Sequence, residues 1–91
     1  MKLMAFSIFD RKAMSYDQPF FVVNEVTAVR MFDRTARDAS TMIAAYPEDY
    51  VLVHVGEFDT LEARFLAPPE GVRQLVTASA LIAQSLQAKE E

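Results

Sequence analysis

From Leu3 to Phe9 the chain is apolar at almost every position, with Met4, Phe6 and Ile8 on one side of an extended backbone and Leu3, Ala5, Ser7 and Phe9 on the other. Neither side is charged, which predicts a central strand. A polar connection, Asp10 to Gln18, leads to a second run, Pro19-Phe20-Phe21-Val22-Val23, that proline can open because the first residue of a strand needs no ladder donor. The period then changes. Ala28, Phe32, Ala36, Ala39 and Ile43 recur at spacings of four and three, an apolar stripe on a helix that Asn24 caps and that should run to about Ala45, where Tyr46-Pro47 stops it. Alternation returns in Tyr50 to Phe58 and again in Leu61 to Leu66, joined by Asp59-Thr60 as a hairpin. Pro68-Pro69 should start a second helix whose buried face is Val72, Leu75, Val76, Ser79, Ile82, Ala83 and Leu86.

The predicted order is ββαββα in one α+β domain spanning residues 1–91, a four-stranded, mainly antiparallel sheet with two helices on one face. Because both sides of its strands are apolar, the face away from the helices would be exposed in a monomer. A homodimer, or a larger homo-oligomer, is therefore expected.

Composition narrows the function classes. The chain is 52% hydrophobic with two glycines and four prolines, far from the signature of disorder. It has no cysteine and one histidine, His54, so no disulfide framework, thiolate nucleophile or cysteine-ligated metal is possible, and no metal or cofactor is expected. No run approaches a membrane span or a signal-peptide core, which predicts a cytoplasmic protein without membrane contact. The net charge of −4 opposes a dedicated duplex-DNA binder. That charge is uneven: of nine Lys and Arg and thirteen Asp and Glu, residues 1–46 hold six and five, residues 47–91 three and eight.

The basic residues of the first half give the best candidate site. Arg30, Arg34 and Arg37 fall at i, i+4 and i+7, opposite the apolar stripe of the first helix, where three guanidiniums suit phosphates. Asp33 and Asp38 lie close enough to pair with them, which would make the stripe an ordinary solvated face. Arg11 and Lys12, with Tyr16 nearby, suit single-stranded nucleic acid, where ring stacking and backbone charge act together. They equally suit a plain polar connection.

Catalytic groupings are lacking. His54 stands mid-strand between valines, and Glu48 and Glu57 are nine residues apart, roughly 30 Å along a strand. With no phosphate loop, nucleophile elbow or metal-ligand spacing, an enzyme is not expected; the remaining opening is His54 meeting a carboxylate from a neighbouring subunit. Tyr46, Phe58 and Phe65 read as core aromatics.

Pro47-Glu48-Asp49-Tyr50-x-Leu52, followed by Gly56-Glu57-Phe58-Asp59, is the part of the chain with the most motif character. With Phe6 to Asp10, Pro19-Phe20-Phe21, and Ala28, Arg30 and Phe32 on the helix, in that order and spacing over residues 4 to about 66, it resembles the small nonstructural protein of gokushoviruses, microviruses that infect bacteria. The resemblance implies an early, non-capsid protein of a single-stranded DNA phage, working in the bacterial host cytoplasm in viral DNA replication. It is likened to the microvirus protein that turns synthesis towards single strands and packaging. No catalytic residues carry over. Two readings stay open: a regulatory module touching single-stranded DNA through Arg30, Arg34, Arg37, Arg11 and Lys12, or an oligomeric module acting on a viral or host replication or packaging protein without nucleic-acid contact.

Overall fold

The computed structural model describes the backbone of residues 1–90 and the side chains of residues 1–84. Its order is β1 (Lys2–Asp10), β2 (Ser15–Tyr16), β3 (Phe20–Val22), α1 (Glu25–Ala36), α2 (Met42–Ala45), a single 3₁₀ turn (Pro47–Asp49), β4 (Tyr50–Asp59), β5 (Arg64–Leu66), β6 (Arg73–Thr77) and α3 (Ala78–Glu90). The α+β class and the antiparallel sheet are as expected, but six strands replace the expected four and three α-helices the expected two.

The sheet is nevertheless only four strands wide. Met4 and Phe6 pair with β3 on one edge of β1 and with β4 on the other, and Phe9 and Asp10 likewise bridge β2 and β4. Leu52 and Val53 pair with β1 and β6, while Glu57 to Asp59 pair with β1 and β5. Thus β1 and β4 form the centre, and each outer column is interrupted, β2 with β3 on one side and β5 with β6 on the other.

Two corrections concern helices. The helix expected over 24–45 breaks after Ala36, because Asp38-Ala39-Ser40-Thr41 offers the backbone side-chain partners of its own. The Asp38 carboxylate accepts from the Ser40 backbone N–H (3.0 Å) and hydroxyl (2.7 Å), and Thr41 then caps α2 by accepting from Ala44 N–H (3.2 Å). Ala39, expected in the core, is exposed. The second helix starts not at Pro68-Pro69 but at Ala78, and residues 73–77 are a strand. Gly71, at φ +85, interrupts any helix begun at Pro68, and Leu75-Val76-Thr77 complete the ladder on the open edge of β4. Leu75 and Val76 do reach the core, but from a strand; Leu86 lies outside the described side chains.

The core lies between one sheet face and the helices: Phe6 and Leu52 meet Ala28, Phe32 and Ala36 of α1 and Ala78 and Leu81 of α3, all buried. Leu75 and Val76 both face this core because a bulge sets Leu52 against Val76 but Val53 against Gln74. A second bulge, at Val55, lies where the register passes from Ala5↔Gly56 to Phe6↔His54.

Both four-residue hairpin loops use one device. Asp10 and Asp59 open them by accepting loop N–H groups, at 2.9 Å from Lys12 and 2.9 Å from Leu61, and Met14 and Ala63 close them at φ 56 and 55. The Leu61 N–H, the largest cause, holds the Asp59 carboxyl below its ordinary 3.8. A carboxyl depressed in the folded state stabilises above its unfolded value, and that contribution is lost as pH falls through the lower folded value. Asp59→Asn should therefore flatten the loss of thermal stability on acidification below about 4. A melting profile from pH 6 to pH 2 identical to that of the parent would count against this role for the loop.

Candidate nucleic-acid interface

The arginine-bearing helix α1 is fixed at both ends. Asn24 Oδ1 accepts from the Thr27 backbone N–H (2.8 Å) and hydroxyl (2.9 Å), a cap that satisfies a first-turn donor. Glu25 suits the positive helix terminus and receives Arg73 Nη2 at 2.6 Å, tying α1 to β6 across 48 residues of sequence. With Ala28, Phe32 and Ala36 buried, the opposite side of α1 faces solvent, and there Arg30, Arg34 and Arg37 are all exposed.

Their surroundings differ. Arg37 turns back on Asp33, its Nε and Nη2 reaching Oδ1 at 3.1 and 3.0 Å, an exposed pair worth about 0.3–0.5 kcal/mol. Arg30 and Arg34, one turn apart, have neither ion pair nor side-chain hydrogen bond among the described residues. Arg30 borders a shallow groove between α1 and α3, with Val29, Leu81, Gln84 and the paired Asp33 and Arg37. Asp38, the other expected partner of the stripe, instead holds Ser40, whose side-chain and backbone hydrogen bonds lower its pKa.

Arg11 and Lys12 occupy the β1–β2 hairpin tip. Arg11 donates from Nη1 to the Glu48 carbonyl (3.3 Å) and from its backbone N–H to the Asp49 carbonyl (2.8 Å), docking the hairpin on the 3₁₀ turn. Lys12 borders an acidic, tyrosine-lined cleft with Asp10, Asp49, Tyr46 and Tyr50. There desolvation, then the charge of Asp10 and its hydrogen bond, raise the Tyr50 phenol above its ordinary value. Phosphate would meet like charge at this cleft.

His54 faces the core side of β4, its ring 5.3 Å from that of Phe6, with Nε2 buried and unpartnered. Among the described residues no three or more His, Asp or Glu gather in a way that could hold a metal ion. The expected core aromatics are only partly that: Tyr46 is half exposed, and Phe65, 73% exposed, packs with Phe58 and Phe21 on the sheet face away from the helices. Alternation places Phe65 there, because it pairs with Phe58, which pairs with Leu3.

The model of the family described as phage ORF5 protein matches residues 3–81, a stretch that takes in all six strands, α1 and every candidate residue above. The chain belongs to the phage ORF5 protein family. Protein ORF5 of Chlamydia phage 1 is 30% identical over 95 aligned positions, covering 100% of this chain and 99% of that protein. The gokushovirus resemblance carried by Pro47 to Asp59 is thereby confirmed, and the alignment also runs through the last helix. No solved structure matches the chain. Among the described residues of this ORF5-family protein, no helix is long and apolar enough to cross a membrane.

Proposed function

We propose that this ORF5-family protein is a non-enzymatic binding module of single-stranded DNA phage replication, acting in the host cytoplasm and touching single-stranded DNA through Arg30 and Arg34. The observation that supports it is the contrast along one helix face: Arg37 is tied to Asp33, whereas Arg30 and Arg34 stand exposed one turn apart and form no ion pair among the described residues. Two such guanidiniums fit consecutive phosphates of a flexible strand. Arg11 is a hairpin anchor in this reading, and Lys12 is peripheral. A net charge of −4 implies modest affinity with strong salt dependence, suited to a regulator that must release its strand.

Fluorescence anisotropy with a labelled single-stranded oligonucleotide tests the reading. Binding at low salt should weaken as salt rises, and the double variant Arg30→Ala/Arg34→Ala should reduce the log–log salt slope by roughly 1.4, two phosphates at about 0.7 each. Absence of binding at low salt, or a slope indifferent to the double variant, sinks the DNA contact.

A further inference from the structure

The two sheet faces divide the charge of the strands unequally. By register, Lys2, Asp10, Glu57, Asp59, Arg64 and Arg73, the only charged residues of the strands, all alternate onto the helix-bearing side: Lys2↔Asp59 and Asp59↔Arg64 are cross-strand pairs, Glu57 opposes Met4, and Arg73 opposes His54. The far face carries none. Its centre is small and buried (Ala5, Ser7, Val51, Val53), and its two ends are aromatic. At one end Phe21, Phe58 and Phe65 form a cluster with ring centroids 5.0–6.1 Å apart; at the other Phe9 and Tyr16 meet at 4.7 Å. An antiparallel sheet with one solvated face ordinarily shows the reverse, polar outward and apolar inward. Phe65 and Tyr16 are nonetheless 73% and 54% exposed.

We infer that this far face docks a second copy of the same chain, back to back about a two-fold axis. In such an interface each patch meets its own copy, so any charged group at its centre would approach a like charge. A chain of net charge −4 has every electrostatic reason to avoid itself elsewhere, and the far face is the part of the sheet from which charge is excluded. The lack of any charged strand residue also leaves little to select a different protein by complementarity. The contact falls on the aromatic ends, where Phe65, Tyr16 and Phe21 are 73%, 54% and 39% exposed, since Ala5, Ser7, Val51 and Val53 at the centre are already only 1–5% exposed within one chain. The helices lie on the opposite side of each sheet. Such a dimer therefore turns its two copies of α1, with Arg30 and Arg34, outward in opposite directions, and can hold two stretches of strand at once. The dimer stands without the DNA reading; only this last consequence rests on it.

Sedimentation equilibrium from about 1 to 100 µM tests the interface. The parent chain of 10.3 kDa should sediment at twice that mass. Phe65→Glu lies on a short edge strand, where folding should be spared and far-UV circular dichroism retained. It enters a two-fold interface twice, and at about tenfold per copy should weaken association about a hundredfold. Tyr16→Lys, at the other end of the face, should act likewise, whereas Arg30→Ala/Arg34→Ala should leave the dimer intact while lowering oligonucleotide affinity. A parent monomeric throughout the range overturns the inference, as does a Phe65→Glu dimer of unchanged strength. So does a monomeric parent whose oligonucleotide binding is lost with Phe65→Glu, since the aromatic ends would then be stacking bases.

Discussion

Gly56→Ala should destabilise this protein by about 2–4 kcal/mol, although it adds one methyl group. Gly56 follows the Val55 bulge on β4 and pairs with Ala5. A Cβ built there would stand 2.5 Å from the Leu66 carbonyl oxygen, a backbone atom that cannot rotate away, with Pro68 Cδ at 3.8 Å. Its φ of +155 is one that side chains rarely adopt, so backbone strain adds to the collision. Relief requires moving the end of β5 away from β4, which disturbs the approach to β6 and hence the strand on which Leu75 and Val76 reach the core. Gly71→Ala is the control: at φ +85 it pays the conformational cost alone, with nothing within 4 Å of its Cβ, and about 1 kcal/mol is expected. Denaturation midpoints read both. Equal small shifts for the two variants would show that the close approach over Gly56 relaxes freely.

The fold was legible where period and burial coincide. β1 and β4 are long and central, so their alternation survives as pattern, and the observed Lys2–Asp10 and Tyr50–Asp59 differ from the expected strands by one residue at the ends that moved. On the interrupted edges β3 and β5 were legible within the runs 19–23 and 61–66, both shorter than expected, whereas β2, two residues long, was not, because so short a strand is defined by the partner it meets. Residues 72–82 misled for a different reason. Val72, Leu75, Val76, Ser79 and Ile82 satisfy a helical period, and the vacant edge of β4 outweighed it over 73–77. Gly71, and the β-branched Val76-Thr77, were the available signals. In the same way Asp38-Ser40-Thr41 announces a cap that ends one helix and opens another.

The candidate site shows the same division between local and distant. The pairing of Arg37 with Asp33 is an i, i+4 relation and readable from spacing, as is the solvent orientation of Arg30 and Arg34 opposite Ala28, Phe32 and Ala36. The role of Arg11 depends on the Glu48 carbonyl 37 residues away, and that of Arg73 on Glu25 48 residues away; no spacing rule reaches either. The uncharged far face combines both kinds. Its apolar positions are visible strand by strand, but that all six charged strand residues share the other face follows only once the register and the Val55 bulge are known.

Phe32→Ala should cost about 3–5 kcal/mol, the largest loss expected of any single substitution here. Phe32 is 1% exposed and sits where the three parts of the core meet: Phe6 and Leu52 from the sheet, Ala28 and Ala36 from its own helix, Ala78 and Leu81 from α3. Of the six core residues other than Phe32, three are alanines with little bulk to move into the space and Leu81 is already held on α3, so the void left by the ring persists. A domain of this size typically has 5–15 kcal/mol in all, so the variant would be partly unfolded at moderate temperature, and its melting point should fall by more than 10 °C at about 4–8 °C per kcal/mol. Because α3 joins the core through Ala78 and Leu81 against α1, protection of its amides should be lost along with that of α1, as hydrogen exchange can report. Val26→Ala on the same helix is the counterpart: Val26 is 61% exposed, alanine is the better helix former, and the change should stay within about 0.5 kcal/mol. Loss of comparable stability in both variants would mean that α1 is held by its own helix propensity rather than by the core; a loss confined to Phe32→Ala places the arginine face where it is through packing on the opposite side of the helix.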